Sequence, residues 1–305
     1  MIEFDRRKFL KATTLLMAAP FVPTLFTMKK NKPLLSFSTL GCPDWNFKKI
    51  TDFAVANNYN GIELRGILHE MDLTKCPEFS TLQNITATLS IMKDKNLAFV
   101  DLGSSANLHL ADSTERKKNL DEAKRFIDLA QQINCPFIRV FPNNFPKEQD
   151  KKETMDRITK RLLELGDYAK GSKVSVLIET HGDLVWTEDI QKIMESAFND
   201  QTGLVWDVTN MWSITKEPPA EVYQKLKKYI RHTHIKDMKM TDGNIHYVLL
   251  GRGEVPIFTA IDALENGNYK GYYSFEWEKL WHPEIGDPEI ALADYPKVML
   301  QHFNK

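Results

Sequence analysis

The sequence is poor in cysteine. Its 305 residues hold only Cys42, Cys76 and Cys135, an odd set with no C-x-x-C spacing, which offers neither a disulfide framework nor a thiolate zinc site. A surplus of one charge is also missing. Forty Lys and Arg face 41 Asp and Glu, so the basic excess that marks a nucleic-acid binder is not there. No apolar run reaches the roughly 20 residues needed to cross a bilayer, and no stable membrane span is expected. A G-x-G-x-x-G turn is absent too, which counts against a doubly wound nucleotide-binding sheet. After residue 33 there is no linker or low-complexity segment, so one domain is expected. What remains is 42% hydrophobic and 27% charged, the ordinary mixture of a globular protein.

The first residues read as an address. Arg6-Arg7-Lys8-Phe9-Leu10-Lys11 precedes a mostly apolar run from Ala12 to Phe26 that contains Pro20 and Pro23. A basic start with a short apolar core is the pattern of a secretory signal. Arg-Arg-x-Phe-Leu-Lys resembles a bacterial twin-arginine signal, which would hand the folded protein to export machinery that recognises Arg6-Arg7. Residues 1–32 are therefore assigned to an export signal and short linker, residues 33–305 to the working domain, and the location to the periplasm. An amphipathic N-terminal helix is the alternative. Residues 1–32 carry a surplus of five positive charges, which leaves the remainder at −6 against −1 overall.

From Leu34 onward, short β-branched or aromatic runs alternate with amphipathic stretches. Candidate strands are Leu34–Thr39, Gly61–Arg65, Leu97–Gly103, Phe137–Phe141, Val174–Glu179, Gly203–Asp207, Ile230–Ile235 and Gly271–Glu276. Between them, Leu120, Ala123, Phe126, Ile127 and Ala130 follow the three-and-four spacing of a helix with one buried face. Ser113 and Thr187 suit helix N-caps. Eight strand-then-helix units, with strand ends 26 to 41 residues apart, predict an α/β fold of the (β/α)8 TIM barrel type in a single domain.

In such a barrel the chemistry lies at the C-terminal strand ends. Four consecutive predicted strands end in metal-ligand residue types: Glu179, Asp207, His234 and Glu276. A carboxylate at the end of an apolar strand must be paired or coordinated, since burying it alone is costly. Each position alone also suits a helix N-cap. Together, three carboxylates and one imidazole suit a divalent cation in octahedral geometry, Mn²⁺ or Mg²⁺ before Co²⁺ or Zn²⁺.

The ordered set Glu179, Asp207, His234 and Glu276 resembles the xylose isomerase-like barrel superfamily of sugar isomerases and epimerases. Ile178-Glu179-Thr180-His181-Gly182, His234-Ile235-Lys236-Asp237 and Phe275-Glu276-Trp277-Glu278 are similar to stretches of its bacterial sugar phosphate isomerase/epimerase branch. The resemblance implies a divalent ion on those four residues that stabilises an enediolate, with Glu179 and Glu276 exchanging a substrate proton from opposite faces. It also implies a small carbohydrate substrate, and a homo-oligomer is a common state among relatives. Two positions depart from the pattern. Asn210 stands where many relatives carry histidine, and Met240 where free-ketose epimerases carry arginine. Both departures leave the substrate's hydroxyl pattern open.

Further candidates for substrate contacts are His181, Lys236, Arg65, Asn107 and Arg252, each weighed against a bracing or solvated role. His232 reads more readily as a satisfied core histidine. Trp45, Trp212, Trp277 and Trp281 divide between sugar stacking and packing. A metal-dependent isomerase or epimerase is the first functional expectation. A lyase or dehydratase acting on keto-sugars or 3-keto-glycosides is the alternative, and a non-catalytic sugar-binding barrel comes after it. The Asp-x-His and Asp-x-x-His spacings of the related apurinic endonucleases are lacking.

Overall fold

The computed structural model describes residues 32–304. The expected export signal with Arg6-Arg7 lies, but for Lys32, outside the described residues. Strands β1 (Leu34–Ser38), β2 (Gly61–Leu64), β3 (Ala98–Asn107), β4 (Phe137–Phe141), β5 (Ser175–Glu179), β6 (Thr202–Asp207) and β7 (Ile230–Ile235) follow one another with helices between. After β7 comes an antiparallel hairpin, β8 (Asp237–Thr241) and β9 (Asn244–Val248), and then β10 (Tyr272–Phe275). Strands β1 to β7 and β10 close into a parallel barrel, with β10 lying between β7 and β1. All eight predicted strands are found, and the (β/α)8 expectation is met.

The strands form where they do because both of their faces are buried. Every residue of β5 and of β6 is buried, as expected for parallel strands covered by helices outside and filled by side chains inside. The helix Ser113–Gln132 turns Leu120, Ala123, Phe126, Ile127 and Ala130 onto that outer face. Its cap is Asp112, whose carboxylate accepts from the N–H groups of Thr114 and Glu115, so Ser113 is the first helical residue and not the cap. Thr187 is likewise the first residue of its helix. β3 runs past its expected end to Asn107, which pairs with Phe141 of β4. All three cysteines are free and buried. Among the described residues no helix is long and apolar enough to cross a membrane.

Two elements lie outside the eight-unit expectation. The helix Val208–Thr215 starts directly at the end of β6, with Asp207 as its N-cap. The β8–β9 hairpin turns at Asp242 and Gly243, both at positive φ. Asp-Gly is a strong two-residue hairpin signal, and it was available in the sequence.

Candidate active site and cation cluster

Glu179 ends β5, Asp207 ends β6, His234 sits near the end of β7, and Glu276 follows β10. All four are at most 4% exposed. Each offers a ligand atom that lies within 4.8 Å of the others. From His234 Nδ1 the distances are 3.3 Å to Glu276 Oε1, 3.6 Å to Glu179 Oε1 and 3.9 Å to Asp207 Oδ2. The structure therefore brings together the four residues that lie 97 positions apart at their extremes.

Local bonding aims each side chain. Thr180 ties the ends of β5 and β6, its hydroxyl accepting from the Asp207 N–H at 2.9 Å. Asp207 Oδ1 accepts from the Asn210 N–H at 2.8 Å and so starts the following helix, while Oδ2 faces the cluster. The cap and the cluster are thus two roles of one carboxylate. Asn210, one of the departures, donates its side-chain amide to Glu179 Oε1 at 3.3 Å. Arg139 from β4 holds Glu179 Oε2 at 3.1 Å through Nε, with its guanidinium 3.7 Å from the centre of the Phe141 ring. Below the cluster, Glu63 Oε2 accepts from His232 Nε2 at 2.9 Å and from Ser274 Oγ at 2.8 Å. The same oxygen lies 3.2 Å from His234 Nε2, which turns the Nδ1 edge of His234 toward the carboxylates. His232 is accordingly a partnered core histidine.

Lys236 is the cation at the centre of this arrangement. Its Nζ hydrogen-bonds Glu276 Oε2 and Glu278 Oε1 at 2.6 Å each, and lies 2.8 Å from Asp207 Oδ2. Four carboxylates (Glu179, Asp207, Glu276 and Glu278) meet two basic side chains, Lys236 and Arg139. With all four carboxylates ionised and His234 neutral, the state that metal ligation requires, the set falls two positive charges short, which is what a divalent cation carries. His234 Nδ1 is buried without a hydrogen bond, and Glu179 Oε2 and Asp207 Oδ2 have only their ion pairs with Arg139 and Lys236, whereas buried polar atoms are ordinarily hydrogen-bonded. Three carboxylates and an imidazole are hard to borderline donors that suit such an ion. On both grounds the residues present fit a divalent metal.

The electrostatics are those of a crowded buried site. Burial pushes the Asp207 carboxyl up to about 7, against the pull of Lys236. Burial works in the same direction on Glu276, but His234 and Lys236 overcome it and hold that carboxyl well below the usual range. Glu179 is also lowered, burial being outweighed by Arg139 and His234. Burial would lower the His234 imidazole, yet Glu276, Glu63 and Glu179 together hold it well above its ordinary value.

The remaining candidates divide. The His181 ring lies 4.8 Å from the Phe141 ring, tilted by 56°, and its buried Nδ1 has no hydrogen bond; burial lowers its pKa while Glu179 opposes the shift. Arg65 is buried and donates to Gly103 O at 3.3 Å and Ser105 Oγ at 3.0 Å. Burial, with the neighbouring Arg139, pushes its pKa down to about 9. Asn107 braces loops, donating to Ser105 O at 2.9 Å and accepting from Asn143. Arg252 is exposed and pairs with Asp294 at 3.8 Å, in a turn whose Gly251 and Gly253 N–H groups clasp Asp237. Trp45 and Trp277 are buried in packing, whereas Trp281 is exposed. Glu63, Arg139 and Glu278 are site residues that the strand-end pattern does not single out. Glu278 belongs to the stretch Phe275-Glu276-Trp277-Glu278, and Glu63 and Arg139 sit on predicted strands, where a charge within an apolar run is the available signal. A concavity of about 620 Å³, lined by Glu70, Asp72, Lys75, Asp121 and Arg125 among others, lies beside the helix Ser113–Gln132, and none of the four cluster residues lines it.

The model of the family described as xylose isomerase-like TIM barrel matches residues 51–294. Fructoselysine 3-epimerase of Shigella flexneri is 23% identical over 208 residues, covering 66% of this chain and 71% of that protein. Among solved structures, the IOLI protein with a zinc atom superposes with a TM-score of 0.74 at 17% identity, over 88% of this chain and 98% of that one. The probable 3-DHS dehydratase of Bacillus anthracis, involved in petrobactin synthesis, gives 0.72 at 18% identity, over 87% and 98%.

Proposed function

Because this chain belongs to the xylose isomerase-like TIM barrel family, we propose that it is a divalent-metal-dependent sugar isomerase or epimerase that moves a proton on the carbon beside a carbonyl. The observation that carries this reading is the convergence of Glu179, Asp207, His234 and Glu276 on one point at the barrel mouth. The likeness to fructoselysine 3-epimerase supports it. Those four residues would hold the ion, with Mn²⁺ the favoured choice and Mg²⁺, Co²⁺ or Zn²⁺ compatible with the same donors. When bound, a divalent ion supplies Lewis acidity toward a carbonyl oxygen and a neighbouring hydroxyl.

The chain's own groups supply the proton traffic. Glu179 and Glu276 reach the site from β5 and β10, which are separated around the barrel by β6 and β7, so they approach a bound sugar from two sides. One carboxylate takes the proton and the other returns one. Arg139 and Asn210 hold the two oxygens of Glu179 in place. Once an ion takes up Asp207 and Glu276, Lys236 has N–H donors released for a substrate oxygen, and His181 offers its unbonded Nδ1. The buried ammonium beside Glu276 also favours a second reading, elimination from a keto-sugar or 3-keto-glycoside, in which Lys236 protonates the departing oxygen. We further propose that the protein is exported through Arg6-Arg7 to the periplasm, which fractionation of cells carrying Arg6→Lys, Arg7→Lys would test.

Deuterium incorporation from heavy water into a panel of keto-sugars and keto-glycosides tests the reaction. Exchange without loss of a group supports the isomerase or epimerase, and release of an aglycone or water supports the lyase. Glu179→Gln and Glu276→Gln should each cut the exchange by about 100- to 10,000-fold. Unchanged exchange in both variants would overturn the assignment, and sugar binding with no exchange in the wild type would mark a binding barrel.

A further inference from the structure

Glu278 is the buried acid that the proton transfers above do not use. It lies two residues beyond Glu276, is 8% exposed, and its Oε1 accepts from Lys236 Nζ at 2.6 Å. That same ammonium also holds Glu276 and Asp207, two of the four side chains that would take the ion. An ammonium is a compact point charge, so it competes with a metal ion for those oxygens, and the two cations repel one another across a buried site. Lys236 is enclosed. Its side chain is 2% exposed, its carbonyl is bound by Thr209 Oγ1 at 2.6 Å, and Tyr247 of the hairpin covers it, with Nζ 5.6 Å from the ring centre. The cation must therefore find an anion inside the site, and Glu278 is the carboxylate bonded to it that does not belong to the ligand set.

We propose that Glu278 is a positioning residue: it anchors the Lys236 ammonium beside the cluster when a divalent ion takes up Asp207 and Glu276, so that the lysine neither blocks the ion nor leaves the substrate's reach. The proposal rests on the reading of Glu179, Asp207, His234 and Glu276 as a cation site. It makes metal affinity depend on Glu278 only through Lys236.

Titrating Mn²⁺ into the metal-stripped full-length protein, with free Mn²⁺ read by electron paramagnetic resonance, tests this. Lys236→Met should bind Mn²⁺ at least tenfold more tightly than the wild type, because the competing cation is gone. Glu278→Gln should bind at least tenfold more weakly, because the ammonium falls back onto Asp207 and Glu276. The double variant should match Lys236→Met within threefold. If Glu278 merely adds negative charge, the double variant will instead fall below Lys236→Met by the factor separating Glu278→Gln from the wild type, and the proposal is overturned. Should Glu278→Gln fail to fold, Glu278→Asp keeps the charge but shortens its reach. It should weaken binding in the wild type and have no effect beside Lys236→Met. An unaltered affinity in the Glu278 variants overturns the proposal alone, whereas a wild type that takes up no Mn²⁺ overturns the cation-site reading and this proposal with it.

Discussion

Single residues in this barrel carry charge where charge is expensive, and Asp101 is the plainest case. It sits on β3 in register with Glu63 on β2, fully buried, with no hydrogen bond to either carboxylate oxygen. Burial, helped by the nearby Glu63 charge, raises its carboxyl from 3.8 to about 7. An acid whose pKa rises on folding keeps a proton that the unfolded chain has already released. Its stabilising contribution is therefore complete below about pH 3.8 and is lost as the pH climbs through about 7. Asp101→Asn removes the ionisation at constant shape. Calorimetry at stepped pH should find the variant melting above the wild type at pH 8, with the difference shrinking toward pH 4. A constant difference across that range would contradict the account. His232 and Asp207 carry a related lesson, since at both positions the ordinary structural role suggested by sequence holds, and for Asp207 it coexists with a place in the cluster.

At the scale of elements, the β8–β9 hairpin and the turn after it are organised by one carboxylate. Asp237 accepts from the N–H groups of Met238, Gly251, Gly253 and Val255 at 2.8 to 3.3 Å. The fit is close enough that a Cβ on Gly253 would lie 2.0 Å from Asp237 Oδ1. At the other end, Gly243 has φ of +78°, a conformation that an L side chain resists. Asp237→Ala leaves those N–H groups without their acceptor and should cost about 3 kcal/mol in urea unfolding. A loss below about 1 kcal/mol would mean that the segment is held by something else. The hairpin matters because it seats Tyr247 over Lys236. Its Asp-Gly turn was legible, whereas its strands were not, because mixed residues such as Asp237–Thr241 carry a weak alternation over only five positions.

For the whole molecule the decisive event is closure of the barrel, because Glu276 follows β10, the strand that joins the end of the sheet back to β1. The helix Pro288–Phe303 covers that seam. Tyr295 stacks on Phe275 with ring centres 4.5 Å apart, and its hydroxyl donates to Tyr273 O at 3.0 Å. From the other side Tyr59 donates to Leu292 O at 2.6 Å. Tyr295→Ala should therefore destabilise the protein by about 3–5 kcal/mol, as loss of a large core aromatic does, and should weaken Mn²⁺ uptake because Glu276 loses its support. Tyr295→Phe removes only the hydroxyl and should cost about 1 kcal/mol. Denaturant titration with and without Mn²⁺ distinguishes the two.

The eight-strand beat, the parallel barrel and the rim positions of Glu179, Asp207, His234 and Glu276 could be read from the chain alone. Buried parallel strands are short apolar runs, and a polar residue at the end of such a run stands out against them. The partners of those four residues could not be read in this way. Glu63, Arg139, Lys236 and Glu278 meet the cluster from β2, β4, the residue after β7 and the segment after β10, and what a charged side chain in or beside a strand meets depends on the stagger between strands that only closure sets. Local patterning specifies which elements form, whereas the balance of charge among side chains distant in sequence exists only once the barrel has shut.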